Sequence, residues 1–186
     1  MITIVTGNTS KFHEMQEALH HFDIAVERQS FDIPEEQTLD VESVVREKAL
    51  GAYTEVGGPI LVDDSGFYIE KYNEFPGVFS KYIYKGIGFD GLFKLATVGD
   101  RAEFRTYIAY MDNDCTAPQI FTGRYAGNIV DSFDMSIDYE MPYAPMFQPD
   151  DSDGKRMSEM TAEERKHDHR HSALQLFAQW YKVNRQ

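Results

Sequence analysis

The residues best suited to chemistry stand at the start of the chain. In "VTGNTSKFHEM", residues 5–15, Thr6, Asn8, Ser10 and Lys11 follow a short apolar run and precede a helical pattern. Hydroxyl, amide and ammonium groups at that junction suit an anion, because the first N–H groups of a helix are unbonded and its dipole favours negative charge there. A second grouping is acidic. Asp63 and Asp64 are adjacent in "PILVDDSGFYIE", residues 59–70, after an apolar run, and Glu35 and Glu36 lie upstream in "IPEEQT". Three or four such carboxylates can converge on one Mg²⁺. Neighbours in a strand point to opposite faces, so one of the aspartates can bind metal while the other orients water or shapes the turn. The competing reading of Asp63-Asp64-Ser65-Gly66 is a plain turn. Lys11, Lys48 and Lys81, taken singly, are solvated surface charges. Their coincidence with glycine and hydroxyl-bearing loops is what points to a phosphate group.

Holding these groups in place requires regular elements on both sides. Met1 to Val5 is a β-branched apolar run of the kind that fills a buried strand, ending at Gly7. Ser10 is the expected cap of a helix carrying Phe12, Met15, Ala18, Leu19 and Phe22 at helical spacing. A second helix is expected from Val41 to about Tyr53, stopped by Gly57-Gly58-Pro59, and residues 59–70 then read as a strand. After the Pro76-Gly77 turn, Phe79 to Leu95 supports helical pieces, and alternation over 101–114 and 119–130 predicts two long antiparallel strands. Residues 131–160 show little periodicity. The last stretch opens on Thr161 with Glu164 three residues on, a capping box, and is expected to continue as an amphipathic helix through Ala173, Leu174, Phe177 and Trp180.

Composition bounds the function. A chain of 186 residues with 42% hydrophobic content supports one domain spanning 1–186 with a real core. Its 31 acidic against 18 basic residues give a net charge of −13, which repels long nucleic acid and anionic lipid. A small anion remains a fitting ligand wherever a few Lys and Arg converge, since screening over about 10 Å hides the other charges. A single cysteine, Cys115, rules out an internal disulfide, and the absence of a long apolar span predicts a soluble, cytoplasmic protein with no membrane partner. "GIGFDG", residues 86–91, matches a dinucleotide-binding pattern but follows no buried strand, and is set aside. His167, His169 and His171 include a pair four residues apart, but without HExxH or a cysteine partner a zinc site is disfavoured.

Together these blocks resemble a known family, the house-cleaning nucleoside triphosphate pyrophosphatases of the inosine/xanthosine triphosphatase or Ham1-like group. "TGNTSKFHE" resembles that family's T-x-N-x-x-K-x-x-E pattern, and "DIPEEQ", "VDDSGF", "FPGVFSKY" and "RAEF" followed by "GRYAG" occur in its order. The resemblance implies an α/β fold with a long twisted mixed β-sheet, flanking helices and two lobes around a central nucleotide cleft, in a homodimer. It implies Mg²⁺-dependent cleavage of non-standard purine nucleotides such as dITP, ITP and XTP to the monophosphate and pyrophosphate. By motif, Thr6, Asn8 and Lys11 would contact the triphosphate, Lys48 and Lys81 further phosphate oxygens, and Ser65 the phosphate. Glu35 or Glu36 would ligate metal, and Asp64, with Asp63 beside it, would be the general base. The segments around the base, in which Tyr143, His169 and Arg170 are retained, depart from the family: Ala144 stands where an aspartate is usual and Asp168 where a serine is. Two rival readings keep the resemblance but change the outcome: another preferred base, or nucleotide binding without hydrolysis.

Overall fold

A computed structural model describes residues 1–34, 38–73, 75–137, 139 and 141–185. In chain order the elements are β1 (Ile2–Val5), α1 (Thr9–His20), β2 (Val26–Gln29), α2 (Val41–Val56), β3 (Ile60–Ile69), β4 (Phe75–Gly77), α3 (Ser80–Leu95), β5 (Arg101–Met111), β6 (Gln119–Ile129), β7 (Phe147–Pro149) and α4 (His169–Asn184). Short 3₁₀ turns occupy Glu70–Tyr72, Ala144–Met146 and Met157–Glu159. The strands make a seven-stranded sheet in the order β2-β1-β3-β5-β6-β7, with β4 also paired to β3. β1 runs parallel to β2, Ile2 opposite Val26, and parallel to β3, Thr3 opposite Ile60. β3 with β4 and β6 with β7 are antiparallel. The sheet is mixed and the fold α/β, as expected. No helix among the described residues is long and apolar enough to cross a membrane.

Contacts divide the chain into two compact units. The first comprises Met1–Asp64, Thr106–Gly123 and His169–Gln186. Its core is largely aliphatic: Ile2 and Ile4 of β1, Leu61 of β3 and Ile108 of β5 pack with Met15 and Leu19 of α1 and Leu174 and Phe177 of α4. Every residue of β1 is buried, as befits a parallel strand joined to its neighbours by helical crossovers. At the far end of α4, Arg185 Nε donates to Asp112 Oδ2 at 2.6 Å, and the Tyr110 hydroxyl donates to the same oxygen at 2.7 Å. Burial alone would raise the Asp112 carboxyl; Arg185 and Tyr110 overrule it and bring it down to about 2.

The second unit comprises Ser65–Arg105 and Arg124–Asp168. Its core is aromatic: the Phe67 ring stacks on Tyr143 with centroids 4.8 Å apart and meets Phe104 and Phe147 edge-on at 4.9 and 5.7 Å. The helical pieces expected over 79–95 form α3, interrupted at Gly88, whose φ of 59° and ψ of −168° are non-helical values open to glycine. Backbone bonds from Gly99 N–H to Ile129 O and from Ile129 N–H to Asp100 O, both 2.9 Å, join the start of β5 to the end of β6, so the two long strands are antiparallel neighbours.

Three expectations need correction. The cap of α1 is Asn8, not Ser10: Asn8 has extended backbone angles and its side chain accepts from Lys11 N–H. The turn reading of Asp63 to Gly66 fails, because β3 runs through all four residues and its burial dips only at Asp64 and Ser65. Thr161 and Glu164 do exchange capping bonds, at 2.8 and 3.3 Å, yet they close an isolated turn, and α4 begins at His169. The reason is that "EERKHDHRH" offers no apolar side chains for a helix to bury, and helical packing sets in only from Ala173.

Candidate active site

The opening block is held by its own polar groups. The chain leaves β1 at Val5, the Asn8 amide nitrogen donates to Thr6 Oγ1 at 3.2 Å, and Lys11 N–H donates to Asn8 Oδ1 at 3.0 Å. Arg28 of β2 binds the outside of this loop, donating to the carbonyls of Thr6 and Gly7 at 3.1 and 3.2 Å and to Thr9 Oγ1 at 2.7 Å. Gly7 to Ser10 are exposed, and the first turn of α1 carries no acidic residue. The N-terminal end of the helix is therefore an open, positively polarised surface.

Asp63 is the hub of the first unit's charges. Only 2% of its side chain is exposed. Lys11 Nζ lies 2.9 Å from its Oδ2, Lys48 Nζ donates to its backbone carbonyl at 3.3 Å, and Arg170 Nε stands 3.6 Å from Oδ2. Burial alone would raise the carboxyl; Lys11, Arg170 and Lys48 together reverse this and hold it well below the usual carboxylate range. Asp63 is thus a fixed anion that gathers three cations from α1, α2 and α4. Asp64 follows it on the strand and is half-buried, so the pair divides as the alternation of a strand requires.

Arg170 reaches this place because α4 starts in close contact with β6. A Cβ on Gly123 would come within 1.9 Å of the His169 carbonyl oxygen, so only glycine admits that first turn. His169 and Arg170 are both buried. Arg170 Nη1 donates to Glu14 Oε2 at 2.5 Å, and His171 Nδ1 lies 3.9 Å from Glu14 Oε1.

The structure therefore brings Lys11, Lys48, Asp63 and Arg170 together, with Thr6 and Asn8 in the loop that leads to Lys11. Ser65, Lys81 and Tyr143 belong to the second unit. There Ser65 is half-buried in β3 and Lys81 is exposed in the first turn of α3. Tyr143 is a core residue whose hydroxyl donates to the Ser80 carbonyl at 2.9 Å. Burial, aided by Tyr84, pushes its phenol up. Glu35 and Glu36 lie outside the described residues. Ala144 and Asp168, the two departures, are both buried. Sequence reasoning passed over Glu14 and Arg28. Glu14 had a signal, as the last position of the opening pattern; Arg28 had none, since β2 is too short to show alternation.

The Ham1 family model matches residues 2–180. The chain belongs to the Ham1 family. A curated dITP/XTP pyrophosphatase of Methanopyrus kandleri is 35% identical over 98% of this chain and 97% of its own length. The inosine triphosphate pyrophosphatase 1 of Trypanosoma cruzi is 32% identical over 88% of this chain and 83% of its own. Among solved structures, a HAM1 protein from Coxiella burnetii aligns with a TM-score of 0.77 at 28% identity, covering 98% of both chains. Of the residues gathered in this Ham1 chain, Lys11 and Asp63 lie in the blocks that carry the family resemblance, Arg170 in the segment that departs from it, and Lys48 outside both.

Proposed function

We propose that this Ham1 chain is a nucleoside triphosphate pyrophosphohydrolase that cuts non-standard purine nucleotides such as dITP, ITP and XTP to the monophosphate and pyrophosphate. The observation that carries the reading is the convergence of Lys11, Lys48 and Arg170 on the buried, ionised Asp63, next to an open helix N-terminus. In a molecule of net charge −13, such local cationic convergence is what a triphosphate needs. The names of the curated relatives support the substrate class.

In this reading the N-terminus of α1, with Thr6, Asn8 and Lys11, holds phosphate oxygens, Lys48 neutralises the charge that develops on the leaving pyrophosphate, and Arg170, in the segment that the resemblance puts around the base, adds positive charge beside Asp63. Asp63 fixes the cations, and the Asp64 carboxylate takes the proton from the water that attacks the α-phosphorus. Ser65 and Lys81 as further phosphate contacts, Tyr143 and His169 near the base, and a homodimeric assembly are proposed on the resemblance alone. The donor chemistry fits a hard divalent cation such as Mg²⁺: Asp64 is a half-exposed oxygen donor, whereas Asp63 is already engaged by Lys11. Asp64 and one of Glu35 and Glu36 would hold the ion, which when bound supplies Lewis-acid neutralisation of phosphate charge.

A second reading changes only the base. Ala144, buried in the aromatic core, has no side-chain acceptor to offer where the family resemblance expects an aspartate. A missing partner in a site that reads polar edges changes discrimination by about 1–3 kcal/mol per group. The test is a panel of dITP, ITP, XTP and the standard dNTPs with Mg²⁺. Release of pyrophosphate rather than phosphate, with 6-oxo purines preferred, is the expected result; pyrophosphate without that preference favours the second reading. Tight nucleotide binding with no product over hours would instead identify a binding protein.

A further inference from the structure

Glu14 is the one residue of the opening pattern without a part in the proposed chemistry. It follows Lys11 by three residues on α1, so the two side chains share a helix face. Lys11 reaches Asp63 and Glu14 reaches Arg170. The distances rank the partners of Arg170: 2.5 Å from Nη1 to Glu14 Oε2, against 3.6 Å from Nε to Asp63 Oδ2, which exceeds hydrogen-bond length. Of these two, Glu14 is the tighter partner.

The placement of Arg170 favours such a partner, in a place where Glu14, Asp168 and His171 bring their polar atoms within 4.8 Å of one another. It is the second residue of α4, where the helix dipole disfavours a cation, and no acidic residue stands in that first turn. Its side chain is only 5% exposed. A guanidinium so buried needs an anion fixed in the right direction, or it turns toward water. Asp63 is shared with two lysines, whereas among the described basic groups Glu14 faces Arg170 and, at 3.9 Å, His171.

We propose that Glu14 is a positioning residue: its carboxylate anchors the Arg170 guanidinium on α1, fixing the orientation in which Arg170 meets the substrate. The proposal rests on the function proposed above for what Arg170 does, but the anchoring itself is a property of the chain. α1 then sets two cations at once, Lys11 through its own backbone and Arg170 through Glu14.

Two measurements test it. In steady-state hydrolysis of dITP, Glu14→Gln keeps the shape and removes the charge, and is expected to raise KM ~10-fold while kcat changes less than ~3-fold. Glu14→Asp should recover part of the loss. In an Arg170→Lys background, Glu14→Gln should add less than ~2-fold, because its target is gone. Equal factors in both backgrounds would overturn the proposal. The second measurement needs no turnover: the Arg170 Nε–H signal in ¹H–¹⁵N spectra, assigned with Arg170→Lys, should be resolved in the parent and shifted or broadened in Glu14→Gln and Glu14→Asp, with dispersed backbone spectra as the fold control. An unchanged Arg170 signal refutes the anchoring. A parent protein that hydrolyses none of the nucleotides refutes the functional reading alone and leaves the spectral result to decide on Glu14.

Discussion

The two units bury different things. The first packs aliphatic side chains and a smaller ring cluster around Tyr110 and Phe177 beside a fixed anion and three cations; the second fills its interior with rings of Phe67, Phe104, Tyr143 and Phe147, and its buried Glu103–Arg105 pair stands on one strand. The first unit's polar groups come from regular elements, α1, α2, β3 and α4, each of which buries an apolar face and so holds its charges at set positions. Much of the second unit's core comes from 143–147, 157 and 160, in short turns and a three-residue strand. The first unit's gathered charges all rest on periodic elements, whereas the second unit's ring packing also draws on irregular chain.

If that contrast is right, the largest effect follows from breaking the hub. Asp63→Asn leaves Lys11, Lys48 and Arg170 without their shared counter-charge, and should lower turnover of dITP by ~10³-fold. It should also reduce unfolding free energy by about 3–5 kcal/mol, measured by urea denaturation. A neutral outcome would mean that the cations do not depend on Asp63. In the second unit, Phe67→Ala removes the ring that three others contact, and should cost about 3–4 kcal/mol in the same assay.

A smaller effect belongs to the Asp112 clasp. Its carboxyl is lowered to about 2 in the folded state from its ordinary value of 3.8, so its stabilisation is complete above the unfolded value and lost as pH falls through about 2. Asp112→Asn should cost about 2 kcal/mol near pH 7, with the deficit shrinking towards pH 2 in thermal or urea melts. A deficit that stays constant across that range would show that the Asp112 charge contributes nothing. Smallest is Asn8→Ala, which removes the cap of α1 and should cost about 1 kcal/mol.

The same contrast explains what could be read from the sequence. α1, α2, β5 and β6 were legible because their apolar residues repeat at helix or strand spacing, and β1 and β3 because they open on continuous apolar runs. β2, β4 and β7, of three or four residues, are too short to show a period, and α4 was begun too early because a capping box was present without the apolar face that would extend it. In the site, Lys11 and Asp63 stand in recognisable blocks, Lys48 stands on an expected helix and Arg170 in a segment that departs from the family, and the structure brings the four together. What the sequence did not disclose was the order of pairing: that Asp63 is occupied by Lys11, that Arg170 turns to Glu14, and that Arg28 fastens the loop from outside. Spacing along a chain reveals which residues share a face, but not which of several opposite charges lies nearest.

The central claim is that the cations gathered at Asp63 serve an attack of water on the α-phosphorus. Hydrolysis of dITP in H₂¹⁸O tests it most directly. The account predicts ¹⁸O in the deoxyinosine monophosphate and unlabelled pyrophosphate; label in the pyrophosphate, or release of inorganic phosphate in its place, would contradict it.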